Sequence, residues 1–200
     1  MPLVMNRVQL CKEDRENAPD EGRRKLADTP TLFREQQNPE DYIVVPKVSS
    51  ERRKYVPMGF LHDDTIPTDL LFILPSATLY HFGILESNVH MAWMRAVCGR
   101  LEMRYRYSKD IVYNNFPWPD PTEEQKAKIE QTAQAILDAR ALYPDSSLAD
   151  LYDPTLMPPP LLNAHRQNDR VVMQTYGFNT RMTESECVAQ LFALYQNMTK

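Results

Sequence analysis

The sequence predicts an α+β protein: a small mixed β-sheet domain with a packed helix, followed by a C-terminal helical bundle. Three observations carry that prediction. Short runs rich in Val, Ile and Tyr crowd residues 42–74. An isolated helical repeat at Val89, Trp93, Ala96 and Val97 is followed by a stretch with the two-residue period of a strand. Beyond Pro121, three stretches combine capping signals with helical apolar spacing.

Taken in order, residues 1–30 are polar and weakly helical, broken at Pro19 and Pro30, and read as a lead-in with one short helix. Residues 42–48 and 54–61 are expected to pair as strands across an exposed turn, Ser49-Ser50-Glu51-Arg52-Arg53. Residues 70–74 read as a buried strand, and Pro46, Pro57, Pro67 and Pro75 fall near strand ends, where a missing N–H is tolerated. Ser87 or Asn88 caps the next helix and Gly99 stops it. Residues 99–108 are then expected to form one strand. Alternation puts Leu101, Met103, Tyr105 and Tyr107 on the core side and Arg100, Glu102, Arg104 and Arg106 outward. Two prolines and two aromatics in residues 110–119 suggest an extended segment closing the first domain, with Phe116 and Trp118 in a groove between domains.

Thr122-Glu123-Glu124-Gln125 is a capping box, opening a helix through Ile129, Ala133, Ile136 and Leu137 that ends at Tyr143-Pro144. Pro158 to Pro160 start a second, through Leu162, His165, Asp169 and Val172, stopped by Gly177. The capping box at Thr183-Glu184-Ser185-Glu186 leads into a third, with Val188, Leu191, Phe192 and Tyr195. Residues 148–152 are a turn packed on this bundle. The expected division is therefore 1–120 for the sheet-containing first domain and 121–200 for the helical domain.

Two hundred residues suffice to bury a core. The longest apolar run, residues 70–75, is far below the roughly 18 residues of a membrane span, and no secretory signal opens the chain. No membrane partner is expected, and the cytoplasm is the expected location. Cys11, Cys98 and Cys187 are far apart and support neither a disulfide framework nor a zinc knuckle. A net charge of −4 argues against nucleic-acid binding by bulk charge. The basic residues are nevertheless clustered, at Arg52, Arg53 and Lys54 and again at Arg95, Arg100, Arg104, Arg106 and Lys109.

Catalytic chemistry is hard to find. The five glycines make no loop that could cradle a cofactor, and Gly-x-Gly-x-x-Gly is absent. His62-Asp63-Asp64 has the composition of a polar turn, and His81, His90 and His165 have no motif partner. Asn114-Asn115-Phe116-Pro117 matches poorly the Asn-Pro-Pro-Tyr of amino-directed DNA methyltransferases and reads as structural. No catalytic, cofactor-binding or metal-ligating residue is therefore assigned. The outward row at 100–106 is different. Arginine pairs with guanine O6 and N7, and glutamate accepts from cytosine N4, so these side chains suit G·C pairs in a major groove. A solvated face with mutual ion pairs is the plainer reading.

Longer motifs carry a resemblance. The run Ser87-Asn88-Val89-His90-Met91-Ala92-Trp93-Met94-Arg95 is followed by Val97-Cys98-Gly99-Arg100-Leu101, by Tyr105-Arg106-Tyr107-Ser108, and by Ile111-Val112-Tyr113-Asn114-Asn115-Phe116-Pro117-Trp118-Pro119. Together these closely resemble the C-terminal third of the MmeI-like type IIL restriction-modification enzymes. Ser49-Ser50-Glu51 with Arg53, Ser147-Leu148-Ala149-Asp150-Leu151-Tyr152-Asp153 and Met157-Pro158-Pro159 fit as well, so the resemblance runs from about Lys25 to the end.

The resemblance implies part of the target recognition domain and the helical C-terminal domain of a sequence-specific adenine-N6 DNA methyltransferase. The parent family uses S-adenosylmethionine and often carries an N-terminal nuclease. Partners so implied are double-stranded DNA and the parent's methyltransferase core. Glu102 and Arg104 match positions that read one base pair, and Arg106 and Leu70 match positions that read another. Some relatives carry Lys and Asp in place of Glu102 and Arg104 and recognise a different base. Arg52, Arg53, Lys54, Arg100 and Lys109 are the expected phosphate contacts, which set register without choosing sequence. A rival expectation is a protein-docking module built from the three-helix end and residues 116–118.

Overall fold

A computed structural model describes residues 1–34 and 39–199. The chain divides into two compact units, Met1–Asn38 and Pro39–Lys200.

In the first unit, α1 (Pro2–Glu16) is longer than the single short helix expected, and a second helix, α2 (Glu21–Arg24), follows it. Pro2 sits in the first turn, where its missing N–H costs nothing, and Gln9–Glu13 and Lys12–Glu16 pair one turn apart. Asp20 caps α2 by accepting from Arg23 N. Arg15 closes the unit by donating to the carbonyls of Leu26, Thr29 and Leu32.

The second unit contains two antiparallel three-stranded sheets rather than one mixed sheet. In the first, β1 (Asp41–Pro46) lies between β3 (Gly59–His62) and β4 (Leu71–Pro75), with Ile43 opposite Phe60 on one side and Leu74 on the other. The expected strand over 54–61 is confined to its end. Side chains satisfy the backbone of 54–58 instead: Glu86 accepts from Met58 N at 2.8 Å, and Arg140 donates to Met58 O at 2.7 Å. Strand β4 is a half-buried edge strand, not the fully buried one predicted.

The second sheet runs β2-β6-β5, where β2 is Val48–Ser49, β5 is Gly99–Leu101 and β6 is Arg104–Arg106. The single strand expected over 99–108 is thus a tight hairpin. Glu102 and Met103 form its two-residue loop, so Leu101 turns back onto Arg104 and the alternation restarts.

Helix α3 (Leu79–Leu85) escaped the sequence reading because its apolar residues are nearly continuous. It precedes α4 (Asn88–Val97), whose cap is Ser87, accepting from His90 N at 3.3 Å. The 110–119 segment is not simply extended. It opens with a π-helical turn, Lys109–Tyr113, fastened where Trp93 Nε1 donates to Val112 O at 2.9 Å.

The three predicted C-terminal helices are present as α5 (Glu123–Ala141), α7 (Pro159–Thr175) and α8 (Glu184–Met198), and the 148–152 turn contains a short α6 (Leu148–Leu151). They do not bundle only with one another. α5 and α7 pack on each other and on α3, while α8 packs on α4. Gly83 permits the approach of α3 to α5: a methyl group there would lie 2.6 Å from Ile129 Cγ2 and 3.2 Å from Ala133 Cβ. Ile43, Met58, Phe82, Met91, Trp93, Ile129, Ile136 and Leu161 belong to one continuous core that runs under both sheets and helices. Among the described residues no helix is long and apolar enough to cross a membrane.

Candidate nucleic-acid interface

The β2-β6-β5 sheet has two unlike faces. Directly opposed residues share a face, so Val48, Gly99, Leu101, Arg104 and Arg106 lie on one side, and Ser49, Arg100 and Tyr105 on the other. Tyr105 and Tyr107 are buried, as expected, and His90 Nε2 lies 3.0 Å from the Tyr107 hydroxyl. This anchors the hairpin from beneath. Three assignments change with the hairpin. Leu101 and Met103 are exposed rather than turned to the core, and Arg100 leaves the Arg104 face. The Arg100 guanidinium stacks 4.1 Å from the Tyr105 ring centroid, and its Nη1 donates to Met103 O at 3.2 Å.

Glu102 occupies the left-handed region at φ 57°, where a side chain is strained and glycine or asparagine is favoured. Its Oε2 accepts from Arg104 Nη2 at 2.8 Å, with both side chains largely in solvent. An exposed pair of this kind is worth about 0–1 kcal/mol, so exchanging it for base contacts costs little. The solvated ion pair is therefore real in the free protein. It leaves unexplained why a glutamate holds a glycine's position, a kind of outlier that clusters at functional sites.

Leu70 and Arg106 come together through Lys47. Lys47 N donates to Leu70 O at 3.0 Å, and Lys47 O accepts from Tyr107 N at 2.9 Å, so one residue joins the two sheets beside both positions. Leu70, in the turn just before β4, is 68% exposed, and Arg106 is exposed as well. The Lys47 ammonium lies 4.8 Å from the Phe72 ring centroid. Sequence reasoning passed over Lys47, because a lone lysine between Pro46 and Val48 carries no pattern. Lys109, exposed at the start of the π-helical turn, lines a groove of about 200 Å³ with Phe72, Leu74, Tyr107 and Tyr113.

The 52–54 cluster is drawn toward the helices. Arg53 Nη2 donates to Ala149 O at 3.4 Å, and the positive charge of Arg52 acts on Asp153. Lys54 is exposed, with its ammonium 5.1 Å from the Tyr55 ring centroid. Nor do residues 116–118 offer a docking face. Phe116 is buried against His90 and Trp118, and Tyr176, just past the end of α7, donates to Pro117 O at 2.9 Å.

A second charged cluster is fully enclosed. Glu86 Oε1 accepts from Arg140 Nη2 at 2.9 Å, Arg140 Nε donates to the Tyr152 hydroxyl at 2.9 Å, and that hydroxyl lies 2.7 Å from His165 Nε2. His165 Nδ1 is 3.2 Å from Glu86 O, so the neutral ring carries its proton on Nδ1 and the tyrosine donates to Nε2. Burial pushes the Glu86 carboxyl up to about 7 against the pull of Arg140, and burial pushes His165 down to about 3. Beside it, Asp169 accepts from the Tyr55 hydroxyl and from Asn88 N, each at 2.7 Å. Each side chain is bonded to a neighbour within the core, although Glu86 Oε2 is buried without a partner, and the cluster is a structural seam joining residues 55–58 and α3 to α5 and α7.

The glycines do not suit S-adenosylmethionine. Gly83 is pressed against α5, and Gly177 follows α7 at φ 71° with open space where a side chain would sit. Among the described residues no group of three or more His, Cys, Asp or Glu side chains could hold a metal ion.

An exposed hairpin bearing arginine and glutamate, set on buried tyrosines and a helical base, defines a class: α+β proteins with a C-terminal helical region. The family comparisons place the chain within that class. Residues 1–120 match the MmeI target recognition domain and residues 121–200 the MmeI C-terminal domain; the chain belongs to the MmeI family. It is 42% identical, over its full length and 23% of the relative's, to DNA methyltransferase A of Bacillus subtilis (strain 168). It is similar, with a TM-score of 0.93 and 46% identity, to the solved type IIL restriction-modification enzyme MmeI in complex with DNA, over its full length and 27% of that chain. The chain thus spans about a quarter of the length of these relatives.

Proposed function

We propose that this chain reads DNA sequence for an adenine-N6 DNA methyltransferase of the restriction-modification type. The observation that carries the reading is the hairpin, which exposes Glu102, Arg104 and Arg106 above buried Tyr105 and Tyr107. Glu102 accepts from cytosine N4 while Arg104 donates to guanine O6 and N7 of the same pair, each good contact contributing about 1–3 kcal/mol of discrimination. Arg106, with Leu70, reads a second pair. The MmeI relative is a complex with DNA, which supports duplex DNA as the partner.

Arg52, Arg53, Lys54, Arg100 and Lys109 serve as phosphate contacts in this reading, with Arg53 the weakest candidate because Ala149 already holds it. Methyl transfer, S-adenosylmethionine binding and any nuclease belong to a methyltransferase core outside these 200 residues, against which the helical domain packs. The protein works in the cytoplasm. The 1–120 and 121–200 segments act as reader and base of one clamp.

The test is binding of this chain to duplex DNA across a salt series. Affinity is expected to fall linearly on a log–log plot, and each of Arg52→Ala and Lys109→Ala to lower the slope by about one. Salt-independent binding, or none, would overturn the reading in favour of a docking module.

A further inference from the structure

We infer that Leu101 is a third specificity residue, which reads the C5-methyl group of a thymine in the base pair next to the one set by Glu102 and Arg104. The inference rests on the DNA reading above. Its own ground is the hairpin register. Leu101 lies directly opposite Arg104 and on the face that carries Arg106, with Val48 opposite Arg106. Strand β5 is the sheet edge and exposed throughout, so nothing in the sheet lies beyond Leu101. The side chain is 42% exposed, an apolar group directly opposite Arg104 on the face that also carries Arg106.

The dimensions suit a neighbouring base pair. Opposed side chains in an antiparallel pair stand about 5 Å apart at Cβ, and stacked base pairs about 3.4 Å apart. A branched apolar side chain beside the Arg104 guanidinium therefore reaches the adjoining step. The only apolar group that a base pair offers to the major groove is the thymine methyl, and contact with it is an established means of readout. Leucine has no donor or acceptor for the other edges. Its removal would expose the methyl without disturbing the arginine contacts.

The experiment selects duplexes from a random pool with the full chain, in two versions, one with thymine and one with deoxyuridine in its place. The wild-type chain is expected to enrich thymine beside the position set by Glu102 and Arg104, and to lose roughly fourfold of that preference in the uracil pool, the worth of one buried methyl group. Leu101→Ala should reproduce the loss in the thymine pool, and Leu101→Ile should restore it. Arg104→Ala should erase only its own position. A motif lacking thymine at the adjoining step, or one unchanged by uracil and by Leu101→Ala, overturns the role of Leu101 while base reading stands. Failure of the wild-type chain to enrich any sequence overturns the DNA reading and this inference with it.

Discussion

Two glutamate–arginine pairs in this unit have nearly the same length and opposite surroundings. Glu102 and Arg104 meet at 2.8 Å with side chains 77% and 47% exposed; Glu86 and Arg140 meet at 2.9 Å with side chains 0% and 9% exposed. In the first, water competes with both partners, and either ion can leave at a cost of about 0–1 kcal/mol. In the second, neither ion can be deserted, because a lone charge in the core loses its hydration without replacement. Bond length therefore says little about what a pair does. Burial separates a pair that water can take apart from one that holds residues 55–58 and α3 to α5.

The largest expected effect falls on the buried pair. Arg140→Ala strands Glu86 and frees Met58 O and the Tyr152 hydroxyl, and should lower stability by about 3–5 kcal/mol in urea titrations. Arg104→Ala should change it by less than about 0.5 kcal/mol. Equal losses would break the contrast.

Next is Gly83→Ala. Its methyl group would collide with Ile129 on a neighbouring helix, and overpacking of this kind costs about 1–3 kcal/mol. DNA base preference should be unchanged in whatever fraction remains folded, as measured by selection from a random pool.

Acid sharpens the contrast further. Burial lowers His90 and His165 from 6.5 to about 3, so as pH falls below about 6.5 the unfolded chain binds two protons that the folded chain refuses, and stability drops. Burial raises Glu86 from 4.5 to about 7, so the folded chain binds one proton that the unfolded chain leaves until about 4.5, which offsets half the loss. From these three groups the net loss between about pH 6 and 4.5 is roughly 1 kcal/mol per pH unit. Glu86→Gln should make that slope about twice as steep. Urea midpoints across this range decide it.

The smallest effect is a gain. Glu102→Gly relieves the left-handed backbone at φ 57° and should add up to about 1 kcal/mol while erasing preference at one base pair. A loss of stability would mean that the turn is not strained.

Much of the helical half was legible. The boxes at Thr122 and Thr183, proline at the start of α7 and glycine after it are local signals, and local hydrogen bonds form where they predict. The hairpin was not, for a physical reason. Leu101 through Tyr107 keeps a perfect two-residue alternation, and the chain reverses at Glu102-Met103 with neither glycine nor asparagine to mark it. Alternation assigned the outward charges at Glu102, Arg104 and Arg106 but put Leu101 and Arg100 on the wrong sides. Strand 54–58 failed for a different reason: its backbone partners are Glu86 and Arg140, distant in sequence and buried. The linking role of Lys47 likewise exists only once two sheets meet.

The decisive measurement is the exchange of the exposed pair. The chain carrying Glu102→Lys and Arg104→Asp together is selected against a random duplex pool beside the wild-type chain, with thermal unfolding of both recorded. Inversion of C·G to G·C at one motif position, with all other positions and the unfolding midpoint unchanged, is the expected result. An unaltered motif, or one lost together with the fold, would contradict the assignment of this pair to base reading.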